Sequence, residues 1–154
     1  MKARKLGYLS FAVQAAFIPE REPSTEFLQW IAATKMRSDL ADFFSSYTPH
    51  GFRTLGLIDF VGADAMVEID SMYSTTCEGR IVVFASCGDG SSVGVGADSG
   101  IPCWIKKGHL EVDELEEGIV EYPGTLATFL ISTTWNRWFP FDPFIAERRY
   151  HKKK

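Results

Sequence analysis

The stretch with the clearest chemical possibilities runs from Gly88 to Gly96 and contains four glycines. Glycine-rich backbone can approach a phosphate group closely. Dinucleotide and P-loop sites, however, place their glycines between a strand and the N-terminus of a helix, and a P-loop also needs a lysine before serine or threonine. Here the alternation of valine and glycine from Val93 to Asp98 predicts a strand instead. We therefore interpret the glycines as turn and strand-packing residues.

The three cysteines, Cys77, Cys87 and Cys103, show no CxxC spacing, so neither a disulfide framework nor a zinc ribbon is predicted. Cys87 would be a nucleophile if the imidazole of His50 or His109 lay beside it and lowered its pKa. Nothing in the sequence brings these side chains together, and a cysteine at the end of an apolar strand is more often a buried small hydrophobe. A hydrolase is thus the third-ranked hypothesis, and no catalytic residue or cofactor is predicted.

Acidic side chains occur within the glycine-rich stretch and again further along the chain. Asp89 and Asp98 lack the carboxylate density of a calcium loop, so turn formation explains them and no metal site is predicted. Further on, five carboxylates occupy seven positions: Glu111, Asp113, Glu114, Glu116 and Glu117. Their density either steers a basic partner towards this region or simply forms a solvated face.

The net charge of −4 hides an uneven distribution of charge. Eight of the 16 basic residues lie in the first five or the last seven positions, so the chain from Leu6 to Glu147 has eight basic residues against all 20 acidic ones. Such a body repels the phosphates of nucleic acids and attracts basic proteins. We therefore expect a protein partner and no nucleic acid, with simple solubility as the alternative explanation of the acidity.

Two helices are expected in the N-terminal part of the chain. Ser24 or Thr25 can cap the first helix. Ser38 can cap the second, in which apolar residues recur at helical spacing: Leu40, Phe43, Phe44 and Tyr47. Near the C-terminus, Pro123 to Thr125 starts a further helix.

Short apolar runs separated by glycine and aspartate predict strands after Phe52. The predicted strands are Thr54 to Val61, Ala65 to Ile69, Arg80 to Cys87, Val93 to Asp98 and Pro102 to Lys107. Gly88 to Ser92 can supply the positive φ angles of a tight turn, so the third and fourth strands form a hairpin. The prediction is an α+β fold, in which a mainly antiparallel sheet packs with N-terminal helices and a C-terminal helix.

A length of 154 residues with 45% hydrophobic side chains fits one core. We expect a single domain over residues 1–147 and a basic, mobile tail over residues 148–154. The apolar stretch from Leu6 to Ile18 follows three basic residues, but it is short and broken by polar residues, so we favour an ordinary strand or helix over a secretion signal. No run approaches the roughly 20 apolar residues of a membrane span, and the cysteine pattern favours the cytoplasm.

The segment from Ile81 to Gly100, IVVFASCGDGSSVGVGADSG, resembles the central signature of the SUKH superfamily. This group includes the fungal Smi/Knr cell-wall regulators and many bacterial immunity proteins. In it, a strand ending in Phe-Ala leads through a turn similar to Gly-Asp-Gly into the next strand. Flanking segments resemble the family in the same order. Leu40 to Tyr47 resembles its early helix, Pro102 to Trp104 resembles the strand that follows the signature, and Thr125 to Trp135 resembles its final helix.

The resemblance implies a fold without catalytic machinery. It also implies, as the commonest bacterial role, an antitoxin that binds a cognate toxin, often a nuclease, and blocks its active site. An acidic inhibitor can mimic the phosphate backbone that a nuclease holds. A regulatory or scaffold domain of the Smi/Knr type is the alternative, because a fold does not determine a function. On the sheet-bearing face, the predicted partner-binding residues are Asp89, Asp98, Trp104, Glu111, Asp113 and Glu114.

Overall fold

The structure, a computed structural model, describes residues 22–47, 53–55, 58–73, 81–107 and 118–135. The helices are α1 (Thr25–Thr34), α2 (Ser38–Tyr47), α3 (Ala63–Tyr73) and α4 (Leu126–Trp135). The strands are β1 (Arg53–Leu55), β2 (Ile58–Phe60), β3 (Ile81–Cys87), β4 (Ser92–Gly96), β5 (Pro102–Ile105) and β6 (Ile119–Glu121). They form one six-stranded sheet in sequence order, with every neighbouring pair antiparallel. The predicted α+β class and antiparallel sheet are therefore confirmed.

Local side-chain chemistry determines where α1 and α4 begin. Ser24 Oγ accepts a hydrogen bond of 3.1 Å from the backbone N–H of Phe27, as an N-cap does. At the start of α4, the N–H of Thr128 donates to Thr125 Oγ1 at 3.2 Å, and the N–H of Thr125 donates to Thr128 Oγ1 at 2.8 Å. This is a capping box in which threonine replaces the usual glutamate. Of the two predicted caps, Ser24 is the one that the structure shows, and Thr25 is the first residue of α1. The predicted C-terminal helix is confirmed.

The predicted cap of the second helix is wrong. Ser38 is the first residue of α2, and the carbonyl of Arg37 accepts the N–H groups of Leu40 and Ala41, each at 3.0 Å. The side chain that accepts a backbone N–H here belongs to Asp39, which binds that of Leu40 at 3.0 Å. The capping position therefore lies one residue earlier than the sequence pattern indicated.

Two predicted strands have a different structure. The run from Thr54 to Val61 is divided into β1 and β2, which pair antiparallel with Leu55 opposite Ile58. The run from Ala65 to Ile69 lies inside α3 and is not a strand. Over five residues, helical and strand periodicities are hard to distinguish, and burial of one helical face decided between them. Strand β6 was not predicted, since its three residues carry almost no periodic signal.

Phe84 of β3 joins three other elements in the main core. Its ring centroid lies 6.1 Å from that of Phe44 on α2, 5.8 Å from Phe60 on β2 and 6.4 Å from Phe129 on α4. The register between β3 and β4 shifts at Phe84, which marks a β-bulge. All four side chains are almost completely buried. The main core therefore lies between the helices and one face of the sheet.

The other face of the sheet holds a smaller apolar cluster of Val83, Cys103 and Ile105. Gly94 of β4 pairs with Val83 on one side and with Cys103 on the other. A Cβ atom added at Gly94 would lie 2.5 Å from Cγ2 of Ile81. The absence of a side chain at Gly94 is therefore what lets Ile81 pack across β4.

Replacing Gly94 by alanine should lower the free energy of unfolding by about 1–3 kcal/mol, the usual cost of overpacking a buried site. The matched control is Gly88→Ala, because a Cβ atom at Gly88 meets no atom within 4 Å. The control should change stability by less than about 0.5 kcal/mol. Urea unfolding followed by tryptophan fluorescence measures both variants. Equal unfolding midpoints would contradict the close packing of Ile81 on Gly94.

Candidate partner-binding site

The loop between β3 and β4 is built around Asp89 and Ser91. Oδ1 of Asp89 accepts the backbone N–H of Ser91 at 2.9 Å and the Ser91 hydroxyl at 2.5 Å. The N–H of Gly90 donates to the carbonyl of Cys87 at 3.0 Å, and Gly90 has a φ of 88°. A side-chain carboxylate that binds the backbone two residues on is a common turn-forming device. The loop therefore matches the predicted turn between two strands.

Asp89 is exposed, and its pKa lies below the usual value for aspartate. The hydrogen bonds from Ser91 are the largest cause, and the positive charge of Lys107 adds to them. The side chain of Lys107 lies over Gly90, where an added Cβ atom would be 3.2 Å from Lys107 Cδ. At neutral pH Asp89 is therefore charged, while one of its oxygens is already used to hold the turn.

Cys87, at the end of β3, is a poor candidate for a nucleophile. Burial raises the pKa of its thiol to about 11; a hydrogen bond with Ser91 opposes this, and the negative charges of Asp89 and Asp59 add to it. The thiol is therefore protonated at neutral pH, whereas the nucleophilic form is the thiolate. The two histidines considered as bases, His50 and His109, lie outside the described residues.

Trp104 belongs to the core, and its predicted role as a surface contact is corrected. It lies on β5 opposite Val93 of β4 and Val120 of β6, with 5% of its surface exposed. Successive residues of a strand point to opposite faces, and Trp104 falls on the face that the helices cover. Its buried Nε1 has no hydrogen-bond acceptor among the described residues.

Asp98 is exposed in the turn after β4, whereas Asp89 lies in the turn before it. The five residues of β4 span about 17 Å at the usual rise per residue. Asp89 and Asp98 therefore lie at opposite ends of the strand and do not form one acidic patch. The other predicted site residues, Glu111, Asp113 and Glu114, lie outside the described residues.

The turn that contains Asp98 is joined to α2 by Arg37. The backbone N–H of Arg37 donates to the carbonyl of Ala97 at 2.8 Å, and its Nη1 donates to the carbonyl of Ser99 at 2.7 Å. Two hydrogen bonds of 2.6 Å to Asp39 hold the guanidinium in place, and they raise the pKa of Arg37 and lower that of Asp39. No sequence pattern predicts this contact, because Arg37 lies about 60 positions before the turn that it binds.

The first three helices concentrate acidic side chains. We define the helical layer as residues 22–47 and 63–73, which contain seven acidic and two basic residues. Its exposed acidic residues are Glu22, Glu26, Asp42, Asp64 and Glu68. Because α1 contacts both α2 and α3, these charges share one layer of the molecule. The sequence predicted an acidic body, but it did not indicate that these helices carry so much of the charge.

No protein-family model, curated protein or solved structure matches this chain. The resemblance to the SUKH superfamily therefore stays a prediction. Among the described residues, none of the helices has the length and apolar character needed to cross a membrane. The same residues contain no group of three or more histidine, cysteine or acidic side chains that could hold a metal ion.

Trp104→Phe should change the free energy of unfolding by less than about 1 kcal/mol, because removing an unpaired buried N–H offsets the loss of apolar contact. Trp104→Ala should lower it by about 3–5 kcal/mol. Equilibrium unfolding in urea, monitored by circular dichroism, separates the two cases. A cost above about 2 kcal/mol for Trp104→Phe would show that the indole N–H has an acceptor in the folded protein.

Asp89→Asn should lower the free energy of unfolding at pH 7 by less than about 1 kcal/mol, since Asp89 is exposed and Asn keeps an acceptor for Ser91. The pKa of Asp89 is lower in the folded state than in the unfolded state. The charged carboxylate therefore stabilises the fold above the unfolded-state pKa, and this stabilisation is lost as the pH falls through the folded-state pKa. The difference between the urea midpoints of the wild type and the variant should therefore shrink as the pH falls below the unfolded-state value of about 3.9 and through the lower folded-state pKa. A constant difference from pH 7 to pH 2 would contradict this.

Cys87 should react slowly with iodoacetamide at pH 8. With its pKa at about 11, the thiolate fraction is roughly two hundred times smaller than that of an ordinary exposed thiol. The measurement uses a Cys77→Ser background, with Cys77→Ser/Cys87→Ser as the control, and mass spectrometry follows the labelling. Labelling of Cys87 at the rate of free cysteine would overturn the assignment of a protonated thiol.

Proposed function

We propose that this chain is a non-catalytic protein-binding domain, and specifically an immunity protein that neutralises a basic bacterial toxin in the cytoplasm by binding it directly. The observation that carries the proposal is the acidic helical layer, with seven acidic residues against two basic ones. The segment Ile81–Gly100 resembles the SUKH signature, and this resemblance suggests the class of protein, an immunity protein. The protonated thiol of Cys87 favours binding over cysteine-dependent hydrolysis.

The acidic helical layer would raise the rate of association with the partner more than it raises the affinity. Exposed charges of one sign attract a partner of the opposite sign over several ångströms, and this raises the association rate by about 10- to 1000-fold at low salt. A nuclease is a partner of this kind, because the groove in which it binds the phosphate backbone of its substrate is positively charged. Carboxylates such as Glu26 and Glu68, which are held on helices, would then occupy positions that phosphates occupy in the substrate.

The exposed aspartates of the two turns remain part of the proposed binding set. Asp89 and Asp98 lie at opposite ends of β4, about one strand length apart, so a standard interface of about 800 Å² per side is wide enough to reach either turn or both. The experiment must therefore test the helical carboxylates, Asp89 and Asp98 in separate variants.

An immunity role predicts that the toxin is the C-terminal domain of a protein encoded immediately upstream, so the test uses that domain as the candidate partner. Binding is measured by biolayer interferometry in 50 and 300 mM NaCl, and rescue of growth is measured by co-expression. The helical variant combines Glu26→Gln, Asp42→Asn, Asp64→Asn and Glu68→Gln, all at exposed positions. The exposed single variants Asp98→Asn and Asp89→Asn test the two turns separately.

Neutralising the four helical carboxylates should slow association at 50 mM NaCl by about tenfold or more and weaken its dependence on salt. Each turn variant removes one charge instead of four, so it should slow association by less than about threefold. A larger effect would place the contact at that end of β4. Wild-type kinetics in the helical variant would remove the acidic helical layer from the proposal. Binding of several unrelated proteins without rescue of growth would favour a regulatory scaffold instead.

A further inference from the structure

We draw no further inference here: the strongest candidate, the buried indole of Trp104 on β5, whose Nε1 has no acceptor among the residues that the structure describes, carries nothing more because nothing in that part of the chain shows which group would reach it.

Discussion

The packing of Phe84 against three other aromatic rings is the contact on which the arrangement of the described elements depends. It brings α2, β2 and α4 to the same residue of β3. Burying large aromatic side chains is among the strongest stabilising contributions available to a domain of this size. The rings of Phe44 and Phe129 hold α2 and α4 against one face of the sheet. Four acidic residues of α1 to α3 are exposed: Glu26, Asp42, Asp64 and Glu68. Asp39 instead pairs with Arg37, and Asp70 accepts a hydrogen bond of 2.9 Å from Trp30 Nε1.

Polar contacts stabilise the turns at the two ends of β4, and the two contacts are of different kinds. At one end, the carboxylate of Asp89 binds the backbone and hydroxyl of Ser91. At the other, Arg37 reaches from the start of α2 to the carbonyls of the turn after β4. Neither contact crosses the core. They stabilise the loops that the strand pairing leaves open, and they place Asp89 and Asp98 about one strand length apart.

The positions of the charges sharpen the functional proposal. An acidic excess read from composition fits any highly soluble protein, whereas an excess concentrated on three contacting helices provides a surface of defined extent. The burial of Trp104 removes the aromatic anchor that had been expected beside the turn aspartates. Recognition of a basic partner would therefore rest on charge and on the shape of the helices, which makes it strongly dependent on salt.

Local signals in the sequence were sufficient for several elements. Ser24 identified the start of α1, and the glycine-rich turn near Asp89 identified the hairpin of β3 and β4, because caps and turns depend on neighbouring residues. The acidic balance of the chain was also determined by sequence alone. The α+β class and antiparallel pairing followed from these patterns.

The tertiary structure decided what depends on distant partners. Residues 65–69 became part of a helix because one face of it packs into the core, and β6 exists only because β5 pairs with it. The register of β5 places Trp104 on the face that the helices cover, and both faces of this strand are buried, which a single strand does not specify. The contact of Arg37 with Ser99 likewise joins residues far apart in the chain. Sequence spacing reports short-range geometry, whereas burial and pairing are set by which elements meet in space.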